Sequence, residues 1–354
     1  MTHPARFRQA CDLRDRHPEL NAIVITDSGR SSLGCARAAW RAVAPDATHH
    51  LVLQDDVELC EGFLDAVLAA VAIRPGDALA LFTEWGSRTA QLARIAAIRG
   101  AAWAEAVDEY VPSLALVLPA DTARRFGRYQ SSEGVAADDV AMRAFLDETG
   151  MAAYVCVPNL VEHRDVPSVA GNDEMGERRS VCYFTRASRT SLRTVAGLDV
   201  VPHFSWWEGR SVCCVRSGAT WRKTATAGLL AGRGIDADAV VAEALPMAGK
   251  GQVSEILLSG LCLTAFAIGM IAGPGDTSAV REQALGTFPS GGLRRFVPRS
   301  ALAAVSEGLR PMVAAAVLSG ARHADARHAD AHYVDARHAD AHYVDARHAD
   351  ARHA

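Results

Sequence analysis

Short apolar runs alternate with helix-forming segments along the first 160 residues, and this alternation constrains the fold more than any other feature. The runs occupy 22–26 (AIVIT), 50–53 (HLVL), 78–82 (ALALF), 113–118 (SLALVL) and 154–157 (YVCV). Strands that are separated by helices are typical of a largely parallel sheet covered on both faces. The sequence therefore predicts an α/β fold in which a mostly parallel sheet has helices on both of its faces.

The composition changes twice further along the chain. After about residue 215 the sequence becomes rich in Ala, Gly and Leu, which predicts a first domain over 1–215 and a mainly helical region over 216–320. Residues 321–354 repeat the pentapeptides ARHAD and AHYVD and hold seven of the thirteen histidines. A period of five leaves no fixed apolar face on a helix, so we expect a disordered tail or a solvated helix. Weak metal binding by its histidines is the alternative.

Charge and cysteine usage exclude several classes of protein. The net charge is −4, so no overall basic surface is available to hold nucleic acid by counterion release. Eight cysteines without a C-x-x-C pair, behind an N-terminus without an apolar leader run, indicate free thiols in the cytoplasm. The uncharged stretch 256–275 has the length of a membrane span, but glycines and a proline dilute it. We therefore favour a buried core helix there and expect no membrane association.

An acidic pair follows the predicted strand at 50–53. Gln54, Asp55 and Asp56 would lie at the carboxyl edge of the sheet, where open α/β sheets bind their ligands. Two carboxylates that face a cleft repel each other unless a cation or a donor neutralises them. Mg²⁺ or Mn²⁺, held by carboxylates and substrate phosphates, meets that need. The alternative is that Asp55 caps the following helix.

A second acidic pair and a histidine come about eighty residues later. Asp138 and Asp139 begin a predicted helix over 138–149, and His163 follows the strand at 154–157. Taken singly, the acids have a structural explanation, since negative charge at a helix start complements the helix dipole. His163 would likewise be an ordinary loop histidine. The order of the three features is what points to a function.

That order resembles the GT-A-fold, nucleotide-sugar-dependent glycosyltransferases, both the large inverting family and the lipopolysaccharide-type branch. The resemblance covers about residues 1–170. Residues 1–6 match the end of the first strand and its turn, and 34–39 match a helix that carries small residues and an arginine. Residues 53–57 match the D-x-D-type motif, with Gln54 where many members carry the first acid, and 137–140 match the acidic motif that supplies the base. The resemblance implies a GT-A-like, Rossmann-type sheet.

The resemblance also assigns roles to residues of this chain. Asp139, with Asp138 second, would be the catalytic base that takes the proton of the acceptor hydroxyl. A Mn²⁺ or Mg²⁺ ion would be the cofactor, held by Asp55, Asp56 and His163. The nucleotide and diphosphate would be contacted by Asp27, Arg37, Gln54, Asp55 and Arg164.

The function implied is a metal-dependent transfer of a sugar from a nucleoside-diphosphate sugar to a hydroxyl acceptor. Inversion at the anomeric carbon is expected, and retention stays open because the acceptor position is not fixed by sequence. The alternative is a catalytically silent GT-A-like binding or scaffold protein, which Gln54 favours. An aromatic cluster of Phe204, Trp206, Trp207 and Trp221 is expected to be core, with a sugar-stacking platform as its alternative.

Overall fold

A computed structural model gives the fold and describes residues 1–26, 32–130, 137–164, 166–167, 172–187, 191–218, 220–249, 253–275 and 277–324. Its strands are β1 His49–Leu53, β2 Val57–Leu59, β3 Ala78–Ala80, β4 Trp103–Glu105, β5 Ala115–Pro119, β6 Ala153–Cys156, β7 Val161–His163, β8 Thr194–Val195, β9 Val200–Ser205, β10 Arg210–Ser217 and β11 Thr220–Ala225. Its helices are α1 Phe7–Arg16, α2 Ser32–Arg41, α3 Phe63–Ile73, α4 Arg88–Ile98, α5 Ala120–Phe126, α6 Asp138–Thr149, α7 Thr226–Ala231, α8 Ala237–Ala244, α9 Glu255–Ala272, α10 Ala279–Gly286, α11 Phe288–Leu293 and α12 Arg299–Ala321.

The main sheet has six strands in the order β1-β5-β3-β6-β4-β8. The pairs β3–β6 and β4–β8 are parallel, whereas β1–β5, β5–β3 and β6–β4 are antiparallel. The prediction of a mostly parallel sheet is therefore wrong, and the sheet is mixed. β5 lies between β1 and β3 and runs antiparallel to both, and β4 runs antiparallel to its neighbour β6.

Helices cover both faces of this sheet, as predicted. Successive side chains of a strand point to opposite faces. Accordingly, Ala78, Ala80 and Leu116 pack into one core with α2, α5 and α6, while Leu79 and Val117 pack into a second core with α3. The α/β class of the first half is confirmed.

The predicted first strand does not form. Of its residues, Thr26 makes only an isolated parallel bridge with Thr2, and Ile23 is 65% exposed. Its β-branched residues give it strand propensity, but that propensity needs a neighbouring strand to become a ladder. The chain start is held beside β1 instead by the amino group of Met1, which donates to the carbonyl of Leu53 at 2.6 Å.

The C-terminal region is mainly helical, as predicted, but a small antiparallel sheet precedes the helices. Strands β9, β10 and β11 form a meander in which β10 lies in the middle. Residue 215, where the composition changes, lies inside β10. Of the aromatic cluster, Phe204 is buried in the core, while Trp207 is 52% exposed and stacks on Trp206.

Two helices, α9 and α12, are long and apolar enough to cross a membrane by length and composition alone. Within the apolar windows of these helices, 67% of α9 and 39% of α12 is buried inside the protein. The two helices pack on each other, and α4, which is buried along its whole length, packs against α9. The burial of α9 is what a core helix shows, whereas most of the apolar window of α12 is not buried.

All eight cysteines are free thiols, seven of them buried and Cys11 half-buried. Burial raises the pKa of Cys156 and of Cys182 to about 12. The Cys182 thiol donates to the carbonyl of Val280, the second residue of α10, at 3.6 Å. That contact joins the loop after β7 to the helical region.

Candidate functional site

The first acidic pair lies directly after β1, where the sequence places it. The amide of Gln54 donates to the carbonyl of Leu114 at 2.9 Å, and its side-chain amide donates to Ser113 Oγ at 3.4 Å. These bonds continue the β1–β5 pairing by one residue. The chain then turns, and Asp55 and Asp56 are both only 6% exposed.

A two-stranded ladder brings His163 to this pair. β2 and β7 are antiparallel, with Val57 opposite His163. The amide of Arg164 donates to the carbonyl of Asp56 at 2.8 Å, which extends the ladder. As a result His163 Nε2 lies 3.5 Å from Asp56 Oδ2, and the histidine is 3% exposed. The structure thus joins Asp56 and His163, which are more than one hundred residues apart in the chain.

Two residues that the sequence did not assign to the site complete it. Arg6 ends a 3-10 turn over Pro4–Arg6, and its Nη1 lies 2.9 Å from Asp56 Oδ2 and 3.4 Å from Asp55 Oδ1. The Thr2 hydroxyl donates to Asp55 Oδ2. One guanidinium therefore bridges both carboxylates. The matched segment 1–6 was the available signal, since it places an arginine after a turn at this edge.

The two neighbouring carboxyls have opposite pKa shifts. Burial raises the pKa of Asp55, and the charge of Asp56 adds to that rise against the hydrogen bond from Thr2 and the charge of Arg6. Burial also disfavours ionisation of Asp56, but His163 and Arg6 outweigh it and lower the pKa of Asp56. Asp56 is therefore the carboxylate that stays ionised most readily.

The donor set suits a hard divalent cation in part. Asp56 Oδ1 is buried and has no hydrogen-bond partner in the described part of the chain, so this oxygen is available to a cation. Carboxylate oxygens suit Mg²⁺ and Mn²⁺, and imidazole is also a ligand of first-row metals. However, no group of three or more His, Cys, Asp or Glu side chains within the described ranges is arranged to hold a metal ion. Arg6 occupies the position between the two carboxylates.

The second acidic pair begins α6 as predicted. Asp138 is 9% exposed, and the carbonyl of Asp139 accepts from the amide of Val111 at 3.1 Å. Because α6 runs back to the start of β6, its first turn lies at the edge where β1, β3 and β6 end. The segment 111–114 carries both Val111, which binds Asp139, and Leu114, which binds Gln54. Both acidic pairs are therefore anchored to one four-residue segment.

The pKa of Asp139 is raised, although its place at a helix start implies a lowered one. Burial and the neighbouring charge of Asp138 raise the pKa of Asp139 to about 6, against hydrogen bonds from backbone amides, including the one from Val140 at 2.8 Å. Burial therefore outweighs the helix dipole here. A carboxyl with that pKa is mostly ionised at pH 7 and close to the ideal pKa of a general base.

A tyrosine that the sequence did not single out lies beside Asp139. Burial raises the pKa of Tyr110 well above its usual value, and the charges of Asp108 and Asp139 add to the rise. The nearby Ser87 hydroxyl and the charge of Arg88 oppose this rise without cancelling it. A neutral phenol close to the candidate base is thus part of this edge of the sheet.

The remaining predicted residues are less well placed or lie elsewhere. Arg37 lies half-buried in α2, whose first turns contact the chain start through a bond from Cys35 Sγ to the carbonyl of Thr2 at 3.6 Å. Arg164 is exposed, and only its backbone contacts Asp56. Asp27, predicted to bind the nucleoside, lies outside the described residues.

Comparison of the chain with protein-family models, with curated proteins and with solved structures gave no match. The case for a function therefore rests on the residues gathered at this edge of the sheet.

Proposed function

We propose that the protein is a glycosyltransferase that moves a sugar from a nucleoside-diphosphate sugar to a hydroxyl acceptor. The observation that carries the proposal is the contact between Asp56 and His163, next to Asp55, at the sheet edge where β1 ends and α6 starts. With two acidic pairs at one edge, Asp55 and Asp56 can hold the metal ion that binds the donor diphosphate, and Asp138 and Asp139 can accept the proton. A GT-A-like sheet belongs to the same proposal.

Asp139 is the proposed base. The acceptor oxygen forms the new bond to the anomeric carbon as the bond from that carbon to the diphosphate oxygen breaks. The hydroxyl proton passes to the Asp139 carboxylate, and the nucleoside diphosphate leaves with the bonding electrons. A pKa of about 6 lets Asp139 be ionised before the step and accept the proton during it. Direct displacement of this kind inverts the anomeric carbon.

Asp55, Asp56 and His163 are the proposed ligands of a Mn²⁺ or Mg²⁺ ion. The unpartnered Asp56 Oδ1 and the adjacent imidazole support this assignment. When bound, such an ion neutralises charge on a leaving diphosphate. Arg6 would have to move from between the carboxylates, or would share the diphosphate with the ion, since arginine forks suit phosphate oxygens.

A catalytically silent binding module is the second candidate, and the Arg6 bridge is the observation that favours it. A guanidinium that already neutralises both carboxylates leaves less demand for a metal. Such a module would bind a nucleotide or sugar at the same edge without transferring it.

The two candidates are separated by binding and turnover measured together. A panel of nucleoside-diphosphate sugars is screened with Mn²⁺ by thermal shift, and the stabilising donors are then assayed for release of nucleoside diphosphate. Glycosyl transfer predicts that one donor raises the melting temperature and is turned over, and that Asp56→Asn abolishes both effects. Asp121→Asn is the matched control, because Asp121 is 94% exposed on α5. Donor binding without turnover supports the silent module, and no donor binding at all overturns both.

A further inference from the structure

A cavity of about 330 Å³ lies between the segment around residues 173–178 and the start of α12. Arg178, Arg294 and Arg299 line it. Pro167 also lines it, and the carbonyl of Pro167 accepts a hydrogen bond from the same Arg6 that bridges Asp55 and Asp56. The contact between Arg6 and Pro167 therefore links the Asp55–Asp56 pair, where the sugar donor is proposed to bind, to the lining of the cavity.

Arg294 is the most buried of the three arginines, with a side chain only 2% exposed. It pairs with Glu84, and its guanidinium lies 4.0 Å from the ring of Trp206. Its Nε nevertheless has no hydrogen-bond partner in the part of the chain that the structure describes. Burial lowers the pKa of Arg294 to about 9, and the charge of Arg295 adds to that effect. A buried cation with unused hydrogen-bonding capacity is stabilised by a nearby anion.

The start of α12 adds a second, independent source of positive potential. Arg299 is its first residue, and Leu302 in the same turn lines the cavity. Pro298 precedes the helix without a side-chain cap, and the first turn holds no acidic residue. The first four amides of a helix have no intrahelical acceptor, and they attract anions together with the helix dipole. The amide of Ala301 already donates to the carbonyl of Pro298 at 2.9 Å, so it is mainly the dipole of this 23-residue helix that adds positive potential beside the arginines.

Two carboxylates also line the cavity, and their positions decide whether an anion is tolerated. Glu177 is already paired, with Arg179 Nε at 2.9 Å and Arg299 Nη2 at 3.9 Å. Asp173 is exposed to solvent, where its charge is screened. Three arginines and a helix start therefore surround the cavity, against one paired carboxylate and one screened by solvent.

We propose that this cavity is a binding site for a small phosphate-bearing molecule. The volume is at the lower end of the range for ligand sites, which suits a small phosphate ester or a diphosphate. Several arginines around one cavity favour a phosphate over a carboxylate, because a phosphate offers more acceptor oxygens to the guanidinium forks. The inference stands apart from glycosyl transfer, since it uses no residue of the two acidic pairs.

Isothermal titration of inorganic pyrophosphate into the full-length protein, without divalent metal, tests the site. The wild-type protein is expected to bind pyrophosphate and not acetate. Arg299→Gln is expected to weaken binding about tenfold or more, the usual effect of removing one charged hydrogen bond. Arg186→Gln is the matched control, because Arg186 is an exposed arginine that pairs with Glu61 and does not line the cavity.

Arg294→Gln removes a buried ion pair and can therefore impair folding, so Arg178→Gln provides the second variant. The proposal predicts weaker pyrophosphate binding in both Arg299→Gln and Arg178→Gln at an unchanged melting temperature. Asp56→Asn, which tests the donor site, should leave metal-free pyrophosphate binding intact. Absence of pyrophosphate binding, or binding that only Asp56→Asn weakens, overturns the cavity site while leaving the proposed transferase reaction to its own test.

Discussion

Asp55 and Asp56 show how far the environments of adjacent residues can differ. Both are equally buried, yet Asp55 is met by the neutral hydroxyl of Thr2 and Asp56 by the imidazole of His163. Arg6 lies closer to Asp56 than to Asp55. The pKa is therefore raised for one carboxyl and lowered for the other. Pairs whose pKa values are pushed apart are common at functional sites.

Asp56→Asn is expected to destabilise the fold as well as abolish metal-dependent donor binding. The change leaves the guanidinium of Arg6 with one carboxylate fewer, which costs roughly 2–4 kcal/mol of unfolding free energy. Because the pKa of Asp56 is lowered in the fold, its stabilisation is present above the ordinary value of 3.8 and is lost as the pH falls through the lowered pKa. Urea unfolding at pH 7 and pH 3 measures the difference, which should shrink at pH 3. Equal losses at both pH values would contradict it.

Asp139→Asn is expected to slow sugar transfer by roughly 10²–10⁴-fold, the usual contribution of a general base. It should also stabilise the protein at neutral pH and above. The ionised carboxylate of Asp139 is unfavourable in the fold, as its raised pKa indicates, and asparagine carries no charge. The stabilisation that the protonated carboxyl contributes is lost as the pH rises from about 4 through about 6. Allowing for partial exposure, we expect a gain on the order of 1 kcal/mol at pH 8 and none at pH 4.

The control for Asp139→Asn is Asp147→Asn on the same helix. Asp147 is 62% exposed, and among the described residues its side chain pairs only with Arg143, so this change should alter neither rate nor stability by a comparable amount. In the wild type, the transfer rate should rise with pH through about 6. A variant Asp139→Asn that transfers sugar at the wild-type rate would make this residue a helix-start acid, and Asp138 would be the next base to test.

At the scale of elements, the β2–β7 ladder does most to form the site. Its strands are three residues long, VEL and VEH, and neither carries a strand signal that stands out in the sequence. The sequence does predict β1, α6 and β6, and it places the acids and His163 at their ends. It cannot predict the register of Val57 with His163, because a register depends on which distant segments pair. Arg6 was missed for the same reason.

The crossing of α9 and α12 depends on two glycines. A methyl group at Gly320 would lie 2.0 Å from the carbonyl oxygen of Phe266, and one at Gly269 would lie 2.0 Å from that of Val317. Gly320→Ala therefore forces the helices apart, and we expect it to reduce the free energy of unfolding by roughly 1–3 kcal/mol. Thermal unfolding followed by circular dichroism measures the loss.

Gly308→Ala tests whether that loss comes from the crossing. Gly308 lies in the same helix α12, and its nearest neighbour for an added methyl group is Gly249 Cα at 3.8 Å, an ordinary contact. There the change should stabilise the protein by about 0.5–1 kcal/mol, since alanine favours a helix more than glycine does. Destabilisation by both changes would show that α12 is sensitive to substitution throughout its length.

At the scale of the whole molecule, the prediction of class succeeds and the prediction of topology fails. Apolar runs and helical spacing identify the layers, because burial on two faces demands continuous apolar strands. They do not show whether two neighbouring strands are parallel, joined by a crossover, or antiparallel. β4, in the segment WAE, was not recognised as a strand at all. β11, in the segment TWRKTA, was hidden by the helical composition that follows it.

The end of the described chain sets the limit for shortening the protein. His323 lies against the ring of Phe266, with ring centres 5.4 Å apart, and Arg322 reaches Glu243 at 3.9 Å. A chain that ends at Ala324 should therefore keep its melting temperature and its donor binding, because the pentapeptide repeat cannot form a core. A chain that ends at Gly320 should melt at a lower temperature, since it loses these contacts. A lower melting temperature for the chain that ends at Ala324 than for the full-length protein would show that residues 325–354 contribute to stability.

The rate at which the buried thiols are alkylated reports how often the structure around each of them opens. A thiol is alkylated only as the thiolate, and one that is both enclosed and raised to a pKa of about 12 reacts only when its surroundings separate. Cys156 lies in the main sheet, whereas Cys182 contacts the helical region through Val280. Labelling with a maleimide, read by peptide mass spectrometry, would thus measure separately the opening of the main sheet at Cys156 and the opening of its contact with the helical region at Cys182. Faster labelling of Cys182 would mean that the helical region separates from the rest before the main sheet unfolds. Equal rates would mean that the main sheet and the helical region unfold together.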